Sequence, residues 1–273
     1  MKRFALAILA MLLAAPAAAT KARPVVVFAG SASQPPLEAA AGAFTAKTGI
    51  PVTLHFGGSG ALLSQMRLTG QGDLYIPGSP DFLELAREQN LVEGEAVIIA
   101  YLVPAILVAK GNPLNISRLD DLARPGLRVG IADPDGVCVG LYAVEILEAG
   151  GLAGRVRPNV RGRVESCARA AAMIPLGLAD AVLGWREFAA WHPAAMEAVP
   201  LLPEQLPRLA FVPAVTIRGT GNPDGAAAFS AFLASGEGAA IFRNCGYLTR
   251  EDEVRSLAPA ARIGGLYRLP GGW

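Results

Sequence analysis

The chain has 273 residues, a formal net charge of +1, 52% apolar residues and 17% charged ones. The near-neutral balance excludes a nucleic-acid surface, which needs a clear basic excess. The length and apolar content suit two domains with buried cores, at roughly 100–200 residues per domain.

The N-terminus reads as an export signal. Lys2 and Arg3 precede an apolar run from Phe4 to Ala15, and Ala17-Ala18-Ala19 supplies small residues for cleavage near Ala19–Thr20. The run is shorter than the ~20 residues that spanning a bilayer needs. The mature protein is therefore expected in the periplasm, soluble and monomeric. Segment 24–30 (PVVVFAG) reads as a buried strand, 37–49 as a helix stopped by Gly49, and 50–56 as a second strand. A helix over 60–70, a strand over 72–78 and a helix over 80–90 follow. This βαβαβα order predicts a mostly parallel sheet with helices on its faces.

The middle of the chain continues in the same style. Long apolar strand character spans 97–113; strands are expected at 128–134 and 179–185, and helices at 139–151 and 165–177. Segment 211–219 is strand-like, 223–247 holds two helices, and the glycine-rich tail from Glu251 to Trp273 reads as weakly patterned. Two strand regions, near 97–110 and 208–217, are placed to cross between lobes. The expected organisation is a signal peptide (1–19), a first lobe (20–104 plus 213–273) and an inserted second lobe (105–212), with a cleft between them.

Three strand–loop–helix junctions carry the functional signal: AGSAS (29–33), GGSGA (57–61) and GVCVGLYA (136–143). A helix start exposes unpaired N–H groups at the positive end of its dipole, and glycine lets a ligand approach the backbone. Such junctions bind anions without a charged side chain. Three of them, spread over both lobes, point to one anion clamped between lobes.

The chain resembles the periplasmic solute-binding proteins of ABC importers, specifically the molybdate/tungstate-binding group. The segments that carry the likeness are VFAGSASQPPLEAAAGAFTAKTGIPVTLHFGGSGALLSQM, GDLYIPGSPDFLELAREQNLV, LVAKGNP, LDDLARPGLRVGIADPD and FLASGEGAAIFRNCGYL. The resemblance implies the type II periplasmic binding fold, a non-enzymatic role, no cofactor, and delivery of a tetrahedral oxyanion to a membrane permease. It implies two serine hydroxyls, backbone donors and a tyrosine around the ion. Carried onto this chain, these fall at Ser31 (with Ser33 open), Ser59 beside Gly58, Val139, Cys167 and Trp185. Tryptophan lacks the expected hydroxyl, and Tyr142 is the substitute candidate. The bound metal enters only within the oxyanion; no cation site is expected, although Asp133, Asp135 and Glu165 stay open as further ligands. Sulfate, thiosulfate and a metalloid oxyanion remain alternatives.

The other reactive residues bear on different chemistry. A nucleophile elbow fails because Ala61 stands where G-x-S-x-G needs glycine. Only His55 and His192 are present, which leaves a serine triad without a base and zinc without paired ligands. Three readings stand for Cys138 and Cys167: a disulfide bracing the second lobe, a thiolate pair carrying a thiophilic metal or metalloid, or small buried side chains. Cys245 reads as a lone thiol near a helix end.

Overall fold

The computed structural model describes residues 22–273; the expected signal peptide lies outside them. The chain runs β1 (Val25–Gly30), α1 (Gln34–Thr48), β2 (Val52–Gly57), α2 (Ser59–Thr69), β3 (Leu74–Ile76), α3 (Pro80–Glu88) and β4 (Val92–Leu102). The middle comprises β5 (Pro104–Ala109), β6 (Val129–Ala132), α4 (Cys138–Ala149), α5 (Ala153–Val156), β7 (Val160–Val164), α6 (Cys167–Ala172), β8 (Ala181–Trp185), α7 (Phe188–Trp191) and β9 (Met196–Pro200). The remainder is β10 (Arg208–Ile217), α8 (Pro223–Ala234), α9 (Gly236–Asn244), α10 (Glu251–Leu257) and β11 (Arg262–Ile263).

Two sheets form. The first has the order β11-β10-β3-β1-β2, with β4 also on β10; the second has the order β7-β6-β8-β5-β9. β1 is parallel to β2 and β3, and β6 to β7 and β8. β10–β11 is parallel too, while β10–β4, β10–β3, β5–β8 and β5–β9 are antiparallel, so parallel pairs prevail in sheets that carry antiparallel neighbours. The antiparallel pairs arise where the chain passes between sheets and must return. Between β4 and β5 the passage is a single residue, Val103. All of β10 belongs to the first sheet, so the return passage precedes Arg208, earlier than the expected boundary after 212.

Local chemistry explains the edges of the leading elements. α1 starts with prolines in its first turn, where a missing N–H costs nothing, and ends at Gly49 with φ +73°. α3 likewise opens on Pro80 after Ser79. α4 is apolar nearly all round, and every residue from Cys138 to Leu147 is buried, as expected for a helix covered on several sides. A continuous apolar cluster joins Val27 and Tyr75 of the first sheet to Val182 and Trp185 of the second. The lobes are therefore packed against each other. A second cluster, around Ile106, Ile131 and Leu183, fills the far face of the second sheet.

Candidate functional site

Each of the three junctions ends a parallel strand at the interface between lobes. β1 delivers Ser31, which is 3% exposed; β2 delivers Gly58 and the buried Ser59; β6 leads through 133–137 to Cys138 and Val139. Gly30 joins the first two: a Cβ built on it would lie 3.0 Å from Ser59 Oγ. Ser31 and Ser59 are thus neighbours.

The facing lobe meets them directly. The Ala168 N–H, at the start of α6, donates to Ser31 Oγ at 3.1 Å. The Gly60 N–H donates to Gly136 O at 3.0 Å. A Cβ on Gly58 would lie 2.6 Å from Glu165 O and 3.1 Å from Gly136 O, so only glycine permits this approach. Ser59 Oγ accepts from the Gly78 N–H at 3.2 Å, and the Tyr75 hydroxyl donates to Ser59 O at 3.0 Å. The starts of α2, α4 and α6, together with the loop before α3, converge on one region. Every group just named is uncharged.

The α6 donor is the N–H of Ala168, one residue beyond the expected Cys167. Ser166 caps α6 by accepting from Arg169 N, which fixes the direction of the following N–H groups. Val139 is buried in the first turn of α4. Trp185 and Tyr142 are both buried and pack edge to face, with centroids 5.0 Å apart. Neither Trp185 Nε1 nor the Tyr142 hydroxyl has a hydrogen-bond partner among the described residues, and the same holds for Ser33 Oγ and Ser79 Oγ. Gly78 and Ser79 are absent from the sequence-derived set, although IPGSPDF repeats its strand–glycine–serine–helix pattern. Glu165 faces solvent and pairs with Arg169 at 3.1 Å, so its carboxylate does not enter the site.

Cys138 and Cys167 are free thiols with their sulfurs 3.5 Å apart; the expected alternative of a disulfide between them does not describe this state. Burial, and then Cys167, push the Cys138 thiol well above its usual range. It stays neutral at pH 7 and adds no negative charge to the site. Burial, and then Asp81, push the Tyr142 phenol well up in the same way. Behind Tyr142 lies a charged group of three. Arg208 stacks 4.4 Å from the Tyr142 ring and bonds Glu145 at 2.7 Å and Asp81 at 3.0 Å.

Other reactive residues are set apart. His55 stacks on Phe28 at 5.3 Å on the exposed side of β2, and His192 ends α7. No group of three or more His, Cys, Asp or Glu suited to a metal ion occurs among the described residues. A cavity of about 560 Å³ lies elsewhere, lined by Val103, Pro104, Glu187 and Leu206 where the chain crosses between sheets.

The family model of bacterial extracellular solute-binding proteins matches residues 25–248. The chain belongs to that family. A putative binding protein of Haemophilus influenzae is 29% identical over 131 residues, 48% of this chain and 53% of the relative. The molybdate-binding protein ModA of Mycobacterium tuberculosis is 30% identical over 118 residues, 43% of this chain and 45% of ModA. The chain spans about half the length of the curated relatives it matches. Among solved structures, the periplasmic molybdate-binding protein of Azotobacter vinelandii superposes with TM-score 0.73 at 20% identity, covering 83% of this chain and all of that one. The sulfate-binding protein SubI of Mycobacterium tuberculosis gives 0.74 at 18%, covering 89% and 94%. A periplasmic thiamin binding protein gives 0.71 at 16%, covering 91% and 86%. At these identities the likeness is one of fold, and the fold is that of type II periplasmic binding proteins: two α/β lobes joined by crossing strands.

Proposed function

We propose that the mature protein is a periplasmic carrier that captures a tetrahedral oxyanion between its lobes, molybdate or tungstate, and hands it to the membrane permease of an ABC importer. The observation that carries this reading is the convergence of uncharged donors from both lobes on Ser31 and Ser59. A doubly negative ion is favoured there by hydroxyls, helix starts and neutral thiols acting together. The molybdate-binding relative and structure support the choice of ion.

Capture follows from the bonds now made. The N–H groups of Ala168, Gly78 and Gly60 are occupied by Ser31 Oγ, Ser59 Oγ and Gly136 O. When the lobes part, the Ala168 and Gly60 bonds break and those donors face the cleft. Oxyanion oxygens then take the place of the protein acceptors, and the two serine hydroxyls turn to donate. Closing about the ion replaces its hydration with fixed dipoles, the hinge motion known for periplasmic binding proteins. Molybdate, tungstate and sulfate need only donors. Hydrogen phosphate carries a proton that wants an acceptor, and leaving it unmatched costs about 1–3 kcal/mol.

Isothermal titration with molybdate, tungstate, sulfate and phosphate tests the reading. Molybdate and tungstate are expected to bind, and phosphate to give no heat. Ser31→Ala and Ser59→Ala should each weaken molybdate binding at least tenfold, since each removes one donor at about 1.5–3 kcal/mol. Absence of binding by every tetrahedral dianion refutes the proposal. A thiol-dependent metal or metalloid carrier is the second reading, favoured by the 3.5 Å sulfur contact. It is refuted if oxyanion affinity survives replacement of both Cys138 and Cys167 by serine.

A further inference from the structure

Two thiols meet at the interface of the lobes. Cys138 and Cys167 are the first residues of α4 and α6. These helices follow β6 and β7, neighbouring parallel strands with Ala132 opposite Val164. The Asp133 N–H donates to Val164 O at 2.8 Å, which holds the two connecting loops side by side. The sulfurs are 3.5 Å apart, and the two residues are 1% and 2% exposed. Cys138 is covered from the other lobe: a Cβ on Gly78 would lie 2.5 Å from Cys138 Sγ. Cys245, at the end of α9, takes no part.

We propose that Cys138 and Cys167 form a redox modification site, convertible to an intramolecular disulfide when the lobes are apart and shielded when they close on ligand. The shielding part rests on the proposed oxyanion function; the bridge itself does not. The co-reactant is a small or protein disulfide, R–S–S–R, of the kind an oxidising export compartment supplies. One protein thiol loses its proton and attacks a sulfur of R–S–S–R, giving a mixed disulfide and releasing one R–S⁻. The second thiolate attacks the protein sulfur of that mixed disulfide, forming the Cys138–Cys167 bond and releasing the second R–S⁻. The two protons end on the released thiols. The protein pair is oxidised by two electrons, and R–S–S–R is reduced by the same two.

The geometry favours this pair over any other. Bond formation brings the sulfurs from 3.5 Å to about 2.05 Å, a contraction that side-chain rotation at two adjacent helix starts can supply. Burial disfavours the thiolate in the closed form, and attack needs the thiolate. Parting the lobes removes the Gly78 cover from Cys138 Sγ and lets water and a disulfide reach the pair, so opening controls both access and reactivity. Formation of the bridge would pin the start of α4 to that of α6, the two elements that present Val139 and Ala168.

The test uses the reduced, desalted mature protein with oxidised glutathione, with and without molybdate, quenched in acid and mapped by peptide mass spectrometry. The Cys245→Ala variant is run in parallel to remove the third thiol. The expected result is a 138–167 cross-linked peptide, with both thiols lost and a mass decrease of about 2 Da, reversed by dithiothreitol. Saturating molybdate should slow formation at least tenfold. The proposal is overturned if glutathione adducts accumulate without the cross-link, or if both thiols stay free while the urea-unfolded chain is oxidised. Molybdate that binds by calorimetry yet leaves the rate unchanged overturns the shielding. If calorimetry shows no molybdate binding, the oxyanion reading fails, and the bridge stands or falls on the peptide map.

Discussion

Glu187 shows how far one residue can sit from its ordinary chemistry. Its carboxylate is fully buried beside the interlobe cavity, and neither oxygen has a hydrogen-bond partner among the described residues. The Arg186 Nε is 3.7 Å away, too far for a hydrogen bond. Burial dominates and raises the pKa from 4.5 to about 8. The folded state therefore holds the proton more tightly than the unfolded chain. The stability this contributes is fully present below about pH 4.5 and is lost as pH rises toward 8. Glu187→Gln removes that dependence. Urea unfolding at several pH values should show the variant gaining on the parent by about 1.4 kcal/mol per pH unit at most across that window; a pH-independent difference would contradict it. The junctions that hold Ser31 and Ser59 stand out in sequence because a strand, a glycine and a serine before a helix form a local pattern; the choice of Ser31 within AGSAS rests on the family resemblance. Glu187 does not stand out, since nothing in its neighbours signals that a carboxylate will be enclosed.

At the scale of elements, the start of α2 decides whether the lobes can meet. Gly58 N-caps the helix in extended conformation, and its missing side chain admits the Glu165 and Gly136 carbonyls. Alanine fits that backbone conformation, so its clash is with the other lobe rather than within its own. Gly58→Ala should lower the thermal midpoint of the unliganded protein, whose lobes already make this approach, and weaken molybdate binding tenfold or more. A variant that closes and binds normally would show that the approach of the lobes tolerates a methyl group. The elements most legible in sequence were those with strong periodicity or clear stops, such as β1, α1 with Gly49 and α4. β7 is not legible in sequence because VRGRV places Arg161 and Arg163 outward around a glycine and reads as a loop. The expected helix over 165–177 shortens to Cys167–Ala172. The charged run 250–255 reads as a solvated helix face, and α10 forms there, held by local contacts such as Arg255 with Glu251 at 2.7 Å; β11 is not legible in the glycine-rich tail because its ladder partner is the distant β10.

Across the whole molecule, Arg208 gathers the pieces. It is fully buried on β10 and bonds Asp81 on α3, Glu145 on α4 and the Gly265 carbonyl of the tail, the last at 2.5 Å. The Tyr267 N–H donates to the same Asp81, and the Trp273 indole reaches Glu148 at 2.6 Å. Removing one member of a buried charged group leaves the others uncompensated. Arg208→Met should therefore cost about 3–5 kcal/mol of unfolding free energy, read from urea midpoints; a loss under about 1 kcal/mol would mean that Asp81 and Glu145 find other partners. The two-lobed plan followed from the rhythm of strands and helices. The arginine hub did not, because its partners lie 127 and 63 residues away in sequence.

That hub carries a kinetic consequence. Asp81 and Glu145 belong to opposite halves of the molecule, and a single guanidinium answers both. Parting the halves leaves at least one of these carboxylates without its partner. On the proposed function, uptake would then wait on spontaneous gaping, and beyond a certain ion concentration adding more would no longer hasten it. On the proposed carrier function, the same attachment delays escape, so an ion once enclosed stays enclosed.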